Sequence, residues 1–210
     1  MFISIDRRSW PFARILIILI VVFWFLSKPF SIAAGFALML HLAFFRDPRR
    51  ILPAGDQPIS PADGKVVEIS DVFEDQYLKE ETVRIRIFLS LFVPHVNRIP
   101  IDGKIQYLKY EPGEFINALN KECFSKNESN WIGIQSKDRC ILIRQIAGAI
   151  ARRIHCDIGM NDQVKRGQKF GIICYGSGAE CYIPKRLFKA TVQIGNNVKA
   201  GETVLGEWIL

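Results

Sequence analysis

Most of the features that mark metal-binding and nucleic-acid-binding proteins are missing from this 210-residue chain. Its five cysteines, Cys123, Cys140, Cys156, Cys174 and Cys181, are scattered, never spaced C-x-x-C, and accompanied by only three histidines. That ligand supply does not suit a zinc site, and no metal is expected. The cysteines read instead as small buried hydrophobes in a reducing compartment. Lys and Arg number 28 against 21 Asp and Glu, a net charge of +7, so the chain lacks acidic balance. It also lacks any dense basic block interleaved with aromatics, which argues against nucleic acid as the partner.

Apolar residues make up 49% of the chain and are spread unevenly. Two apolar stretches, Ile15 to Ser27 and Pro29 to Phe45, stand near the N-terminus and are separated at Lys28–Pro29. Each is shorter than the roughly 20 residues of an upright spanning helix, although snorkelling at Arg14 or Lys28 lengthens it. The run "ILIILIVVFWFL" has no polar face at any helical phase, as expected for lipid contact on all sides. Arg7, Arg8 and Arg14 precede the pair, and Arg46, Arg49 and Arg50 follow it. Positive charge at both ends places both on the cytoplasmic side. Residues 1–50 therefore read as a membrane hairpin or shallow re-entrant anchor, and residues 51–210 as a domain at the cytoplasmic face of the cell membrane.

From Pro53 the texture changes. Segments such as "KVVEI", "TVRIRIFLSLF", "CILIRQIA", "FGIIC", "ATVQI" and "TVLGEWIL" alternate with Gly, Asp and Asn turn signals. Helical patterning is confined to 113–122 and 147–154, and "FSKNESN" (124–130) reads as an exposed polar loop. The fold class is mainly β (α+β), a small barrel or sandwich. "IGMNDQVKRGQKFG" (158–171) and "IGNNVKAGETVLG" (194–206) share Ile-Gly, a polar turn and Val-Lys-x-Gly, and "SPADGKVVEI" (60–69) has a similar flavour. Such half-motifs occur in the quasi-symmetric barrels of lipoyl and biotinyl carriers. The carrier lysine at a hairpin tip, in a Met-Lys or Asp-Lys context, is absent.

Three polar residues stand where a β-rich chain has least need of them. Asp63 lies in the turn signal "SPADG", His95 ends the apolar run "FLSLFVPH", and Ser177 lies between two glycines in "CYGSGAE". Each has a plain structural reading: an Asx cap, a hydrogen-bonded core histidine and a turn serine. The longer strings carry more. "FFRDPRR", "SPADGKVVEI", "FLSLFVPHVNRIPIDGKI", "YEPGEFINA", "QIAGAIARRI", "VKRGQKFGIICYGS" and "VKAGETVLG" occur in that order. Together they closely resemble the short-form phosphatidylserine decarboxylases, over nearly the whole chain and including the N-terminal anchor.

The resemblance implies self-cleavage at the Gly176–Ser177 bond. Ser177 would attack the Gly176 carbonyl to give an ester, and elimination and loss of ammonia would leave a pyruvoyl group at the new N-terminus. That covalent cofactor would form a Schiff base with the amine of phosphatidylserine, release carbon dioxide and yield phosphatidylethanolamine. The mature protein would be a two-chain heterodimer. A serine hydroxyl needs a neighbouring base, and His95 and Asp63 match the family's candidates. The family usually has Arg-Val-Asp after the Gly-Ser step, whereas Gly178, Ala179 and Glu180 follow here. Arg98 and Lys185 then become the candidates for holding the substrate's phosphate or carboxylate. Two other readings are a membrane-tethered, non-catalytic lipoyl-like adaptor and a decarboxylase of a related phosphoserine lipid.

Overall fold

Pro11 and Pro29, each pre-set for the first helical turn, start the two apolar runs as helices. The structure, a computed structural model, describes residues 3–114, 116, 122–137, 139–148, 153–174 and 177–209, and of Ser177 the backbone alone. The chain divides into two compact units, Met1–Arg49 and Arg50–Leu210.

In the first unit, helix α1 (Trp10–Leu26) ends where Ser27 turns extended, and α2 (Lys28–Phe44) returns alongside it. The Ser31 hydroxyl donates to the Ile20 carbonyl at 2.9 Å, and Phe23 and Phe30 meet at 5.5 Å near the tip. At the open end His41 Nε2 donates to the Ser9 carbonyl (3.0 Å) and the Asp6 amide to Phe45 (2.9 Å). Strands β1 (Ile3–Ile5) and β2 (Arg46–Pro48) pair antiparallel there. Both ends of the hairpin therefore lie together. The helical segment Arg7–Leu26, 20 residues with mean hydropathy 2.2, is long and apolar enough to cross a membrane.

In the second unit the alternation of "TVRIRIFL" puts Val83, Ile85, Ile87 and Leu89 on the core face of one strand. The main sheet contains β3 (Gly64–Glu74), β4 (Glu80–Leu89), β6 (Gly103–Glu111), β7 (Ser129–Ser136), β8 (Arg139–Ile146), β10 (Gln163–Val164), β12 (Ser177–Pro184) and β14 (Asn197–Val198). Its order is β10-β6-β7-β8-β12-β4-β3-β14, every neighbour antiparallel, curled into a half-barrel. A second sheet joins β5 (Val96–Arg98), β11 (Lys169–Ile173) and β9 (Ile154–Cys156). A third pairs β13 (Phe188–Ala190) with β15 (Gly206–Trp208).

A quasi-twofold relation runs through this unit. Val198 pairs with Gly64 and Asn197 with Lys65, while Val164 pairs with Gly103 and Gln163 with Lys104. The Val66 amide bonds Asn196 (2.9 Å) and Gly195 bonds back to Val66 (2.8 Å). Ile105 bonds Asp162 (2.9 Å), and Asn161 bonds back to Ile105 (2.8 Å). Irregularities follow Val66 in β3 and Ile105 in β6. The Ile59 amide bonds Pro100, and the Arg98 amide bonds Pro61. The local axis falls on the Cys181–Ile143 pair at the centre of the sheet. "PADGKV" and "PIDGKI" are thus the same turn used twice.

Three local expectations change. "FSKNESN" is not an exposed loop: α3 (Cys123–Lys126) covers its start, and Asn127, Glu128, Ser129 and Asn130 are buried. Asn127 explains this, accepting from the Ile116 amide (2.7 Å) and donating to the Ile116 and Ala147 carbonyls (2.8 Å each). The helix expected over 147–154 ends as strand β9, with 149–152 outside the described residues. The one expected over 113–122 falls mostly outside them. Of "ATVQI" only Ala190 is in a strand.

Arg50, the first residue of the β-rich unit, places Nη2 on both oxygens of Asp63, at 2.8 and 2.7 Å. A chain beginning at Arg50 should fold to a β-rich protein. One beginning at Ile51 should be less stable by roughly 3 kcal/mol, because a buried carboxylate loses its partner. Urea unfolding of the two truncations checks this; equal midpoints would show that the pair contributes nothing.

Candidate active site

Backbone pairing, before any side chain, ties the segment that ends at His95 to the segment that ends at position 177. Ser177 opens β12 and pairs with Leu89, the last residue of β4. Four residues earlier, the Ile173 amide donates to the His95 carbonyl at 3.2 Å. Residues 89–95 and 173–177 are therefore two strips of chain stapled together at both ends. Four peptide steps span at most about 14 Å and the pairing across to His95 adds about 5 Å, so the His95 backbone stays within roughly 19 Å of position 177. Gly176 lies between the staples and outside the described residues.

His95 is fully buried, directly after Pro94 and ahead of β5. Its Nδ1 lies 2.8 Å from the Val93 carbonyl, an acceptor, so Nδ1 carries a proton and Nε2 is the nitrogen that bears the lone pair whenever the ring is neutral. A chain of buried amides holds the following strand. Asn130 donates to Gln145 (3.0 Å), Gln145 to Asn97 (2.8 Å), and Asn97 to the Pro61 carbonyl (3.3 Å). These contacts tie β5 to β7 and β8 and also to the turn that carries Asp63.

Asp63 sits just before β3, two strand spacings from β12, or roughly 10 Å. Burial pushes its carboxyl above the usual range, while Arg50, the Ala200 amide and Arg98 draw it part of the way back. The Ala200 contact has a counterpart at the other end of the unit, where the Arg166 amide donates to Asp102 at 2.7 Å. Holding the hairpin turn is thus a structural task that both aspartates share. Arg50 and the neighbouring cleavage strand belong to Asp63 alone. At the Asp102 end, the residue equivalent to Ser177 is Arg139, paired with Ser136.

The two candidate anion holders part company. Arg98 ends β5, donates to the Gly167 carbonyl (3.1 Å) and acts electrostatically on Asp63. Lys185 stands beyond the far end of β12, bridged to Asp71 at 2.6 Å and roughly 26 Å of strand from position 177. The structure does not bring it to the site.

The Gly178 departure also has a physical account. A Cβ there would lie 2.7 Å from the Phe124 ring, so the ring occupies the space a side chain would need. The Arg86 guanidinium lies 4.8 Å over that ring and bonds the fully buried Glu180 opposite it on β12. Tyr182 and Arg144 complete the carboxylate's shell at 2.8 and 3.4 Å. Arg50, Asn97, Gln145 and Asn127 carry no catalytic signal in the sequence. The repeated "PADGKV" and "PIDGKI" were the clue to the structural share of Asp63.

The phosphatidylserine decarboxylase family profile matches residues 38–206. The chain belongs to the phosphatidylserine decarboxylase family. A phosphatidylserine decarboxylase proenzyme of Carboxydothermus hydrogenoformans is 43% identical over 173 residues, covering 81% of each chain. That of Syntrophus aciditrophicus is 40% identical over 206 residues, 96% of each. The Nitrosomonas eutropha proenzyme is 38% identical over 207 residues, 97% of this chain and 95% of its own.

The raised Asp63 carboxyl gives a signed expectation. A folded-state value above the unfolded one means that the folded protein binds the proton more readily. This group's contribution to stability therefore falls as pH rises from the unfolded value of about 4 through the folded one. The stability difference between wild type and Asp63→Asn, from urea unfolding across that range, should decline and then level off. A difference that grows with pH would mean that Arg50 outweighs burial.

Proposed function

We propose that the protein decarboxylates phosphatidylserine to phosphatidylethanolamine and carbon dioxide, using a pyruvoyl group made from Ser177 by cleavage of the Gly176–Ser177 bond. The double staple that ties the segment ending at His95 to the segment ending at position 177 is the observation that carries this reading. The residues fit such a group. Position 177 opens a strand paired on both sides, a buried histidine ends the segment stapled to it, and a carboxylate with a raised pKa stands two strands away.

In self-cleavage the Ser177 hydroxyl attacks the Gly176 carbonyl carbon and the Gly176–Ser177 C–N bond breaks, leaving an ester. His95 Nε2 takes the hydroxyl proton and passes it to the departing Ser177 nitrogen. Loss of the Ser177 Cα proton then expels the Gly176 carboxylate from Cβ, and water replaces the nitrogen, which leaves as ammonia. Asp63, poised to accept a proton, supports the base during this stage. The pyruvoyl ketone supplies the sink for the electron pair left behind when carbon dioxide departs. In turnover His95 holds the proton that replaces the carboxylate on the substrate's α-carbon, and Arg98 offers a cation to the phosphoserine headgroup.

The two chains made by the cut stay together. β12 remains paired with β4 and β8, and Cys181, Ile183, Phe188, Val198 and Leu205 all lie in the shared core. The apolar hairpin holds the domain at the cytoplasmic face of the membrane. That reading is supported by the joined ends of the hairpin and the arginines around them. Kinship with lipoyl- and biotinyl-type barrels is supported by the repeated Val-Lys-x-Gly hairpins and their common register.

The test is product formation from phosphatidylserine in detergent. Wild type should release carbon dioxide and form the ethanolamine lipid, and Ser177→Ala should form none. His95→Ala should lose about 100-fold or more, the usual scale for a general acid–base group. Asp63→Asn should mature slowly, while Asp102→Asn, altering the equivalent turn, should mature at the normal rate. Product from Ser177→Ala, or equal maturation defects at the two aspartates, would contradict the assignment.

A further inference from the structure

The strip between Leu89 and His95 carries the most exposed large apolar side chain among the described residues of the β-rich unit. Phe92 is 83% exposed and Leu91 42% exposed, at the tip of the segment stapled to the cleavage strand. Ile51, the residue after Arg50, is 81% exposed, and Leu52 beside it 48%. Exposed apolar residues grouped at one end of a domain mark an interaction surface. Cations surround these. Lys65, next to the Asp63 turn, is exposed, as are Lys199, two residues past its strand partner Asn197, and Arg153, whose carbonyl takes the Cys174 amide. Apolar tips set among lysine and arginine side chains match an anionic lipid surface, in which aromatic and aliphatic groups enter the headgroup layer and cations meet phosphates.

Chain connectivity points to the same occupant. The segment that leaves the apolar hairpin reaches the β-rich unit at Arg50, and Arg50 is fixed on Asp63. The end of the unit that carries the candidate site is therefore the end tethered to the apolar helices. We infer that Leu91 and Phe92 form a second lipid contact, separate from the helical hairpin, which dips into the bilayer surface and draws the site onto the headgroups. One observation distinguishes this loop from a mere rim. The loop runs directly into Pro94 and His95, so seating Phe92 in lipid fixes the segment that ends at the buried imidazole. The inference rests on the lipid-decarboxylase reading for its kinetic consequence and not for the contact itself.

Two measurements on the mature, full-length protein separate these. The first compares wild type with the double variant Leu91→Ser/Phe92→Ser on two substrates. One is phosphatidylserine in phosphatidylcholine vesicles, and the other is a short-chain phosphatidylserine that is monomeric in water. Loss of two interfacial apolar side chains should lower kcat/KM on vesicles by about 10-fold and leave the soluble substrate within about twofold. Equal losses on both substrates, or none on either, would overturn the inference. The second measurement needs no activity. Phe92→Trp should add emission that shifts to the blue in the same vesicles and is quenched by lipids brominated on their acyl chains. Added emission that vesicles neither shift nor quench would assign the loop to another partner and overturn the inference. Wild type inactive on both substrates, with Phe92→Trp still quenched, would instead remove the decarboxylase reading and leave the lipid contact standing.

Discussion

The backbone pair between Ser177 and Leu89, with its companion from Ile173 to His95, is the constraint on which the site depends. Hydrogen bonds of this kind contribute only about 1 kcal/mol each, so their value here is geometric more than energetic. They fix the two ends of the Leu89–His95 segment against Ser177 and Ile173. The amide chain Asn130–Gln145–Asn97 then prevents β5 from sliding, because every donor in it has an acceptor in the buried interior. A histidine placed in this way keeps its tautomer through the Val93 carbonyl and its position through the sheet.

The quasi-twofold arrangement explains why chemistry belongs to one end of the unit. Both ends have a Pro-x-Asp-Gly-Lys turn, a Val-Lys-x-Gly hairpin and a carboxylate that accepts a backbone amide. At the Asp102 end the strand β7 turns straight back into β8, and Arg139 fills the place that Ser177 holds at the other end. Arg139 is itself committed, bridged to Asp56 and stacked 4.6 Å over Trp208. At the Asp63 end the connection from β4 to β12 is long. It contributes His95 and the amide strand, and β12 arrives only after the glycine–serine step. One scaffold used twice thus carries the candidate residues Ser177 and His95 at one end only.

Much of this was legible in the chain. The apolar hairpin followed from two unbroken runs with prolines at their starts, and the β-rich unit from alternation in segments such as "TVRIRIF". Ser177, His95 and Asp63 stood out because each was polar where the pattern wanted something else. What stayed hidden depends on contacts between residues far apart in sequence. "FSKNESN" looks like solvent-facing chain by composition, yet Asn127 saturates three backbone groups of two other segments and is buried by them. Arg50 looks like membrane-flanking charge, and only its place against Asp63 gives it another task. Lys185 shows the reverse case, since being close to Ser177 along a strand of eight residues still leaves it at the opposite end.

The central claim is that Ser177 gives up its place in a continuous chain, and the intact mass of purified protein addresses it most directly. The account predicts two chains that co-purify: one ending at Gly176, and a shorter one beginning at the former Ser177 whose terminus carries a ketone where an amine would be. The short chain should resist stepwise N-terminal degradation and separate from its partner only on denaturation. A preparation that decarboxylates phosphatidylserine while showing a single full-length mass would contradict the account, and Ser177 would be an ordinary residue at the start of a strand.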